Sequence, residues 1–174
     1  MNIAVYAICR NQAAYVPRWC ASMAEADGLY VLDIGSADGG PALLRRLGAQ
    51  VTACTAVPWD RNAARNQALE LIPETTDICV FTRLDEVFAP GWRSLLQQCW
   101  QPWTKQVYFP GLRYSPWPGR GPERCLLERI HARRDFLWQG PGMDCPTYTG
   151  LHNPATVYIP ELQLLRLPIP PGPG

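Results

Sequence analysis

Apolar residues along the first hundred positions follow two alternating rhythms. Short continuous runs come first: "NIAVYAIC" at 2–9, "GLYVLDIG" at 28–35, "QVTAC" at 50–54 and "DICVFTRL" at 77–84. Each reads as a strand, and the first, second and fourth as buried ones. Between them apolar residues recur every three or four positions. Ala13 to Ala26 carries Val16, Trp19, Cys20 and Met23 at that spacing and predicts an amphipathic helix. "PALLRRLGA" has Pro41 near its start and Gly48 at its end, which predicts a short helix. "DRNAARNQALELI" follows Asp60, a natural N-cap, and "GWRSLLQQCW" predicts one more helix. Strands alternating with helices of this length predict βαβ units and a parallel sheet.

After about residue 100 the pattern changes. "KQVYFPGLRYS", "ERCLLERIHA", "DFLWQG" and "PATVYIPELQLLRL" read as short strands between turns, adding antiparallel strands or a lid beside the parallel half. The ending, "LPIPPGPG", cannot form helix and reads as extended. The whole predicts one α/β domain over 1–174. Its parts are a ligand-binding half at 1–100, a lid or acceptor half at 101–165, and a Pro/Gly tail at 166–174.

Composition narrows the class. With 47% apolar and 18% charged residues, the 174-residue chain can bury a sizeable core. A formal net charge of +1 gives no reason to expect nucleic acid or anionic lipid as a partner. The seven cysteines stand singly with no C-x-x-C pair, which fits reduced buried thiols rather than disulfides or structural zinc. No apolar run is long enough to span a membrane, and the first residues carry neither a basic leader nor a cleavage site. These features set the expectation of a cytoplasmic protein.

Parallel α/β sheets bind ligands outside the carboxyl ends of their strands. That rule gathers Arg10 and Asn11, Asp33 to Asp38, and Arg83 to Glu86. Asp33 reads either as a turn-starting residue or as an acceptor for a base or ribose. Arg61 and Arg65, four apart on the first turns of a helix, share a face and suit a diphosphate; the plainer reading is a solvated helix face. The mixed-charge stretch Arg83, Leu84, Asp85, Glu86 reads as a ligand-facing cluster or as a surface ion pair worth little. The aromatic segment from Trp100 to Trp117 reads as an acceptor platform or as core cover.

The chain resembles family 2 glycosyltransferases of the GT-A fold. It is most similar to the bacterial subgroup patterned K-N-E; V-D-T-G-S-x-D-G-T; P-W-x-x-x-F-A-x-A-R-N; L-D-A-D-E. The counterparts here, in order and spacing over roughly 2–100, are "ICRNQ", "LDIGSADGG", "VPWDRNAARNQAL" and "FTRLDE". The resemblance implies a three-layer α/β/α fold, mostly parallel, with added antiparallel strands in the C-terminal half. It also implies transfer of a sugar from a nucleotide diphosphate sugar, with inversion, to an unspecified glycan, lipid or protein acceptor. Asn11, Asp33, Arg65, Asn66, Arg83 and Asp85 are then the donor-binding positions.

The same resemblance implies a divalent metal, manganese or magnesium, at Asp85. Two departures bear on it. Arg83 replaces the first acid of L-D-A-D-E, and "LWQGPGMDCP" puts Met143 where the later W-x-G-x-V-H-E motif has its His. Asp85 is left as the one matched ligand, so any metal would lean on donor phosphates and water. His131 and His152 are the remaining imidazoles. Asp144 matches the position of the family acid and is the candidate general base. Arg83 and Met143 together keep a second reading open, a catalytically inactive relative that binds a nucleotide, sugar or protein. The short length leaves room for a homodimer that completes the acceptor side.

Overall fold

The computed structural model describes residues 1–54, 60–113, 123–140 and 145–166. The elements run β1 (Ile3–Cys9), α1 (Val16–Met23), β2 (Gly28–Asp33), α2 (Gly40–Arg46), β3 (Gln50–Ala53), α3 (Arg61–Glu70), β4 (Ile78–Phe81) and β5 (Glu86–Phe88). They continue with α4 (Trp92–Cys99), β6 (Gln106–Arg113), β7 (Glu123–Ala132), β8 (Phe136–Leu137), β9 (Thr147–Tyr148), β10 (Thr156–Tyr158) and β11 (Leu164–Arg166).

One seven-stranded sheet, ordered β10-β6-β7-β4-β1-β2-β3, runs through both halves of the chain. β1 pairs in parallel with β2 and β4, β2 with β3, and β10 with β6. Only β7 opposes its neighbours, β4 and β6. Two small antiparallel pairs, β5–β11 and β8–β9, stand apart from it. The sheet is thus mostly parallel with antiparallel additions from the C-terminal half.

Both faces of β1 are covered, which is why it reads as an unbroken apolar run. Ile3, Val5, Ala7 and Cys9 pack with Trp19 and Met23 of α1, Leu44 of α2 and Trp92 and Leu96 of α4. Ala4 and Tyr6 face the other way, onto Ala68 and Leu69 of α3 and onto Phe81 and Trp138. The result is a three-layer α/β/α sandwich. Its strand order reverses at β1: β2 lies on one side and β4 on the other, which opens a crevice at their carboxyl ends.

Local chemistry moves two boundaries from the sequence expectation. The helix expected over 13–26 is a 3-10 turn at Ala13–Tyr15 followed by α1, with Pro17 in its first turn. Pro17 has no N–H to return to Ala13, so α-helical bonding starts after it. The second change is in the charged stretch after β4. Glu86 opens β5, which pairs with the distant β11 in the register Leu164↔Phe88, Leu165↔Val87 and Arg166↔Glu86. Arg166, expected at the head of a free tail, is therefore in a strand; residues 167–174 lie outside the described residues.

Glu86, in β5, is anchored to β7. Both carboxylate oxygens accept from Arg129 Nη1 of β7, at 2.9 and 2.8 Å, and Oε2 also accepts from the Arg83 amide at 2.9 Å. Arg129 is 3% exposed and Glu86 7%. Removing one member of such a pair strands the other in low dielectric. Arg129→Met is expected to lose about 3–5 kcal/mol in urea unfolding, and adding Glu86→Gln to recover much of it. A single variant as stable as the parent would mean the pair is solvated.

Candidate functional site

A hollow of about 380 Å³ sits in the crevice at the switch point. Its walls come from the ends of four parallel strands: Ile8 and Arg10 at β1, Ile34 after β2, Cys54 after β3, and Phe81 and Arg83 at β4. The first turns of α3 close it with Asp60, Arg61, Ala64 and Arg65. Four arginines and one aspartate therefore line a single hollow, in a chain whose net charge is only +1. Concentrating cations in a concave site with apolar walls favours an anionic ligand.

Helix α3 divides its labour between two neighbouring ridges. Arg61 and Arg65, four apart, both face the hollow. The guanidinium carbon of Arg65 lies 4.4 Å from the Trp138 ring centroid and 5.3 Å from that of Phe81, so an aromatic shelf sets its height. Asn62 and Asn66, one residue further round, grip a distant segment. Asn66 Oδ1 accepts from the Trp138 amide at 2.8 Å, and its Nδ2 donates to the Trp138 carbonyl at 3.0 Å. Asn62 Nδ2 donates to the Gly140 carbonyl at 3.0 Å. Asp60 caps the helix by accepting from the Asn62 amide at 2.9 Å, so one helix-end N–H is already used internally.

The other donor residues expected from the sequence are engaged within the protein. Asp33 Oδ1 accepts from both the amide and the hydroxyl of Ser36, at 3.1 and 2.6 Å, closing the turn after β2. Asn11, at φ 51, accepts from the Ala37 amide at 2.7 Å and ties the β1 loop to that turn. Arg65 and Arg83 thus line the hollow directly. Asn11, Asp33, Asn66 and Asp85 do not line it; each is bonded to protein neighbours instead. Asp144 and Met143 lie outside the described residues, as does part of the aromatic segment, at 114–117.

Asp85 lies between two guanidinium groups. Its Oδ2 accepts from Arg166 Nε at 2.8 Å and from Arg83 Nη2 at 3.2 Å. Its buried Oδ1 lacks an aligned hydrogen-bond donor yet sits 3.0 Å from Arg83 Nε. A divalent ion of the kind the resemblance implies needs several oxygen ligands converging at about 2.0–2.6 Å. No group of three His, Cys, Asp or Glu is placed to hold a metal among the described residues. The Asp85 carboxylate, the position the resemblance assigns to the metal, already faces two fixed cations. These residues do not fit a metal ion. His131 does not supply the missing ligand, because both ring nitrogens are bonded internally, and His152 is exposed on a loop.

Arg166, Asn62, Arg129 and the Trp138 shelf carry much of this arrangement, and the sequence reading missed their roles. Asn62 had a usable signal, since it precedes Asn66 by one helical repeat. Arg166 had none, since its partner is 81 residues away.

Comparison with known proteins agrees with this architecture. No protein-family model matches the chain. A TPR repeat-containing protein of Synechococcus elongatus is 33% identical over 144 residues, which is 80% of this chain and 34% of that protein. Among solved structures, glucosyl-3-phosphoglycerate synthase from Mycobacterium tuberculosis, in complex with Mn2+, uridine diphosphate and glucosyl-3-phosphoglycerate, superposes with a TM-score of 0.51 at 23% identity. That match covers 62% of this chain and 43% of the synthase. S. aureus TarS 1-349 in complex with UDP-GlcNAc matches with a TM-score of 0.52 at 16% identity, over 70% of this chain and 36% of TarS. The chain has a GT-A-like glycosyltransferase fold. It spans about a third of the curated relative and about two fifths of the solved chains.

Behind the aromatic shelf runs a buried polar chain. His131 Nδ1 faces the Ala132 carbonyl at 2.7 Å and must donate to it, so Nε2 accepts from the Tyr6 hydroxyl at 3.0 Å. Tyr6 in turn accepts from Trp138 Nε1 at 2.9 Å. Burial pushes the His131 imidazole down to about 4. The unfolded chain, with an ordinary value near 6.5, takes up a proton that the folded chain refuses. Stability from this group is full above about pH 6.5 and is lost as pH falls toward about 4, by roughly 3 kcal/mol in all. Urea unfolding at several pH values is expected to show a shallower decline over that window in His131→Gln. Identical slopes would mean that His131 titrates normally in the folded chain.

Proposed function

We propose that this chain is the donor-binding and catalytic domain of a glycosyltransferase, and that its hollow takes a nucleotide diphosphate sugar. The observation that carries the reading is the cluster of Arg10, Arg61, Arg65 and Arg83 around one crevice at the strand ends. Guanidinium groups match diphosphate oxygens in charge and in fork geometry. The GT-A-like fold supports the reading, as do its neighbours, whose structures contain uridine diphosphate and UDP-GlcNAc.

In this account Arg65 and Arg83 contact the donor phosphates. Asn11, Asp33, Asn66 and Asp85 hold the donor site in shape. An acceptor hydroxyl oxygen bonds to the anomeric carbon from the face opposite the diphosphate. The bond from that carbon to the diphosphate oxygen breaks, and the nucleoside diphosphate leaves with the electron pair. The hydroxyl proton passes to a carboxylate, for which Asp144 is the candidate. Fixed cations at the leaving group lower the barrier by meeting charge as it develops.

The engagement of Asp85 by two arginines favours a second reading, a domain that binds the nucleotide without turning it over. Calorimetry with uridine and guanosine diphosphates, joined to a donor-hydrolysis assay, separates the two. Arg65→Ala is expected to weaken nucleotide binding about tenfold or more, since charge-assisted bonds to phosphate contribute about 1.5–3 kcal/mol. Asp144→Asn is expected to keep the binding and lower turnover by about a hundredfold or more. Tight binding with no turnover of any donor would favour the binder, and no binding of either nucleotide would end both readings.

A further inference from the structure

We infer that this site neutralises its diphosphate with Arg83 instead of a divalent ion, and that Arg166 of β11 is a positioning residue that makes this possible. The inference rests on the donor reading above and deepens it.

Arg83 is the element of the charged stretch that reaches the ligand. It lines the hollow, and its side chain is 43% exposed. Asp85 and Glu86 do not line it. Contacts with Asp85 engage Nε and Nη2 of the guanidinium, and its Nη1 has no partner among the described residues. A guanidinium carries five N–H donors, so several remain for an anion.

The charge count favours this cation over a metal. Glu86 is matched by Arg129, and Asp85 is shared between Arg83 and Arg166. Among these five groups, two acids and three arginines, the arginine that lines the crevice is Arg83. A divalent ion at Asp85 would have to displace two ion pairs from a carboxylate whose side chain is only 7% exposed. Replacing the first acid of the L-D-A-D-E pattern by Arg83 therefore supplies charge where the pattern places a metal.

Arg166 explains how one carboxylate orients Arg83 without being consumed by it. The β5–β11 register places Arg166 opposite Glu86, next to Asp85. From there Nε donates to Oδ2 at 2.8 Å and holds the carboxylate against Arg83. A strand from the far end of the chain thus completes a site otherwise built from the first hundred residues. Arg166 acts on the ligand only through Asp85 and Arg83.

The test is calorimetric titration of the full chain with uridine and guanosine diphosphates, once in EDTA and once in manganese chloride. The parent is expected to bind with the same affinity in both buffers. Arg83→Ala, which keeps Arg166 as the partner of Asp85, is expected to stay folded at a lower urea midpoint and to bind about tenfold or more weakly in EDTA. Arg166→Ala is expected to weaken binding several-fold in a chain that still unfolds cooperatively in urea, though at a lower midpoint because Asp85 loses one partner, and Arg166→Lys to restore most of the binding. Arg83→Asp, which restores the acid, is expected to make binding depend on manganese. Binding by the parent only with manganese, or Arg83→Ala binding like the parent, overturns this inference and leaves the donor reading standing. Failure of both nucleotides to bind in either buffer overturns the two together.

Discussion

A carboxylate at the end of a buried strand has to find positive charge close by, and for Asp85 that charge comes from two arginines. Arg83 is two residues away in sequence and Arg166 arrives by way of β11. The cost of burying Asp85 is offset only while both hold their places. This arrangement brings β11 beside β5, ties the crevice-lining Arg83 to Asp85 and commits Asp85 to arginines rather than to a metal. The Glu86–Arg129 pair anchors β5 to β7. The alternation of charge at 83–86 is thus an internal circuit with one exposed end.

Helix α3 supplies the opposite wall by a similar economy. One ridge presents Arg61 and Arg65 to the hollow while the next uses Asn62 and Asn66 to hold residues 138–140. The aromatic shelf of Phe81 and Trp138 supports the Arg65 guanidinium, and the Trp138 indole is itself fixed through Tyr6 to His131. A ligand-facing cation is thereby coupled through packed rings to a buried imidazole on β7. Packing of this kind limits the rotamers of Arg65 and lowers the entropy lost when an anion binds.

The parallel half was legible because its physics is local. Strands covered on both faces must be continuously apolar, as in Ile3–Cys9, and the helices between them must carry a stripe, as Val16, Trp19, Cys20 and Met23 do. The site's location followed from topology alone. The braces around it were harder to see. Asp33 was expected to contact the donor, with a turn residue as the plainer reading, and here it bonds Ser36 within its own loop. The segment holding β11 reads as short strands, but β5 does not, and no periodicity announces that two three-residue strands so far apart in sequence pair with each other. Arg166 looked like part of a frayed tail because its partner can be found only in three dimensions. Tertiary pairing overrode local pattern at these points, and they are where the sheet meets the crevice.

The most direct check is a crystal structure of the chain with uridine diphosphate grown in EDTA. The account predicts phosphate oxygens within about 2.7–3.2 Å of the Arg65 and Arg83 guanidinium groups, with Asp85 still held between Arg83 and Arg166. A diphosphate seated away from this crevice, or an Asp85 released from Arg83 when the ligand is bound, would contradict it.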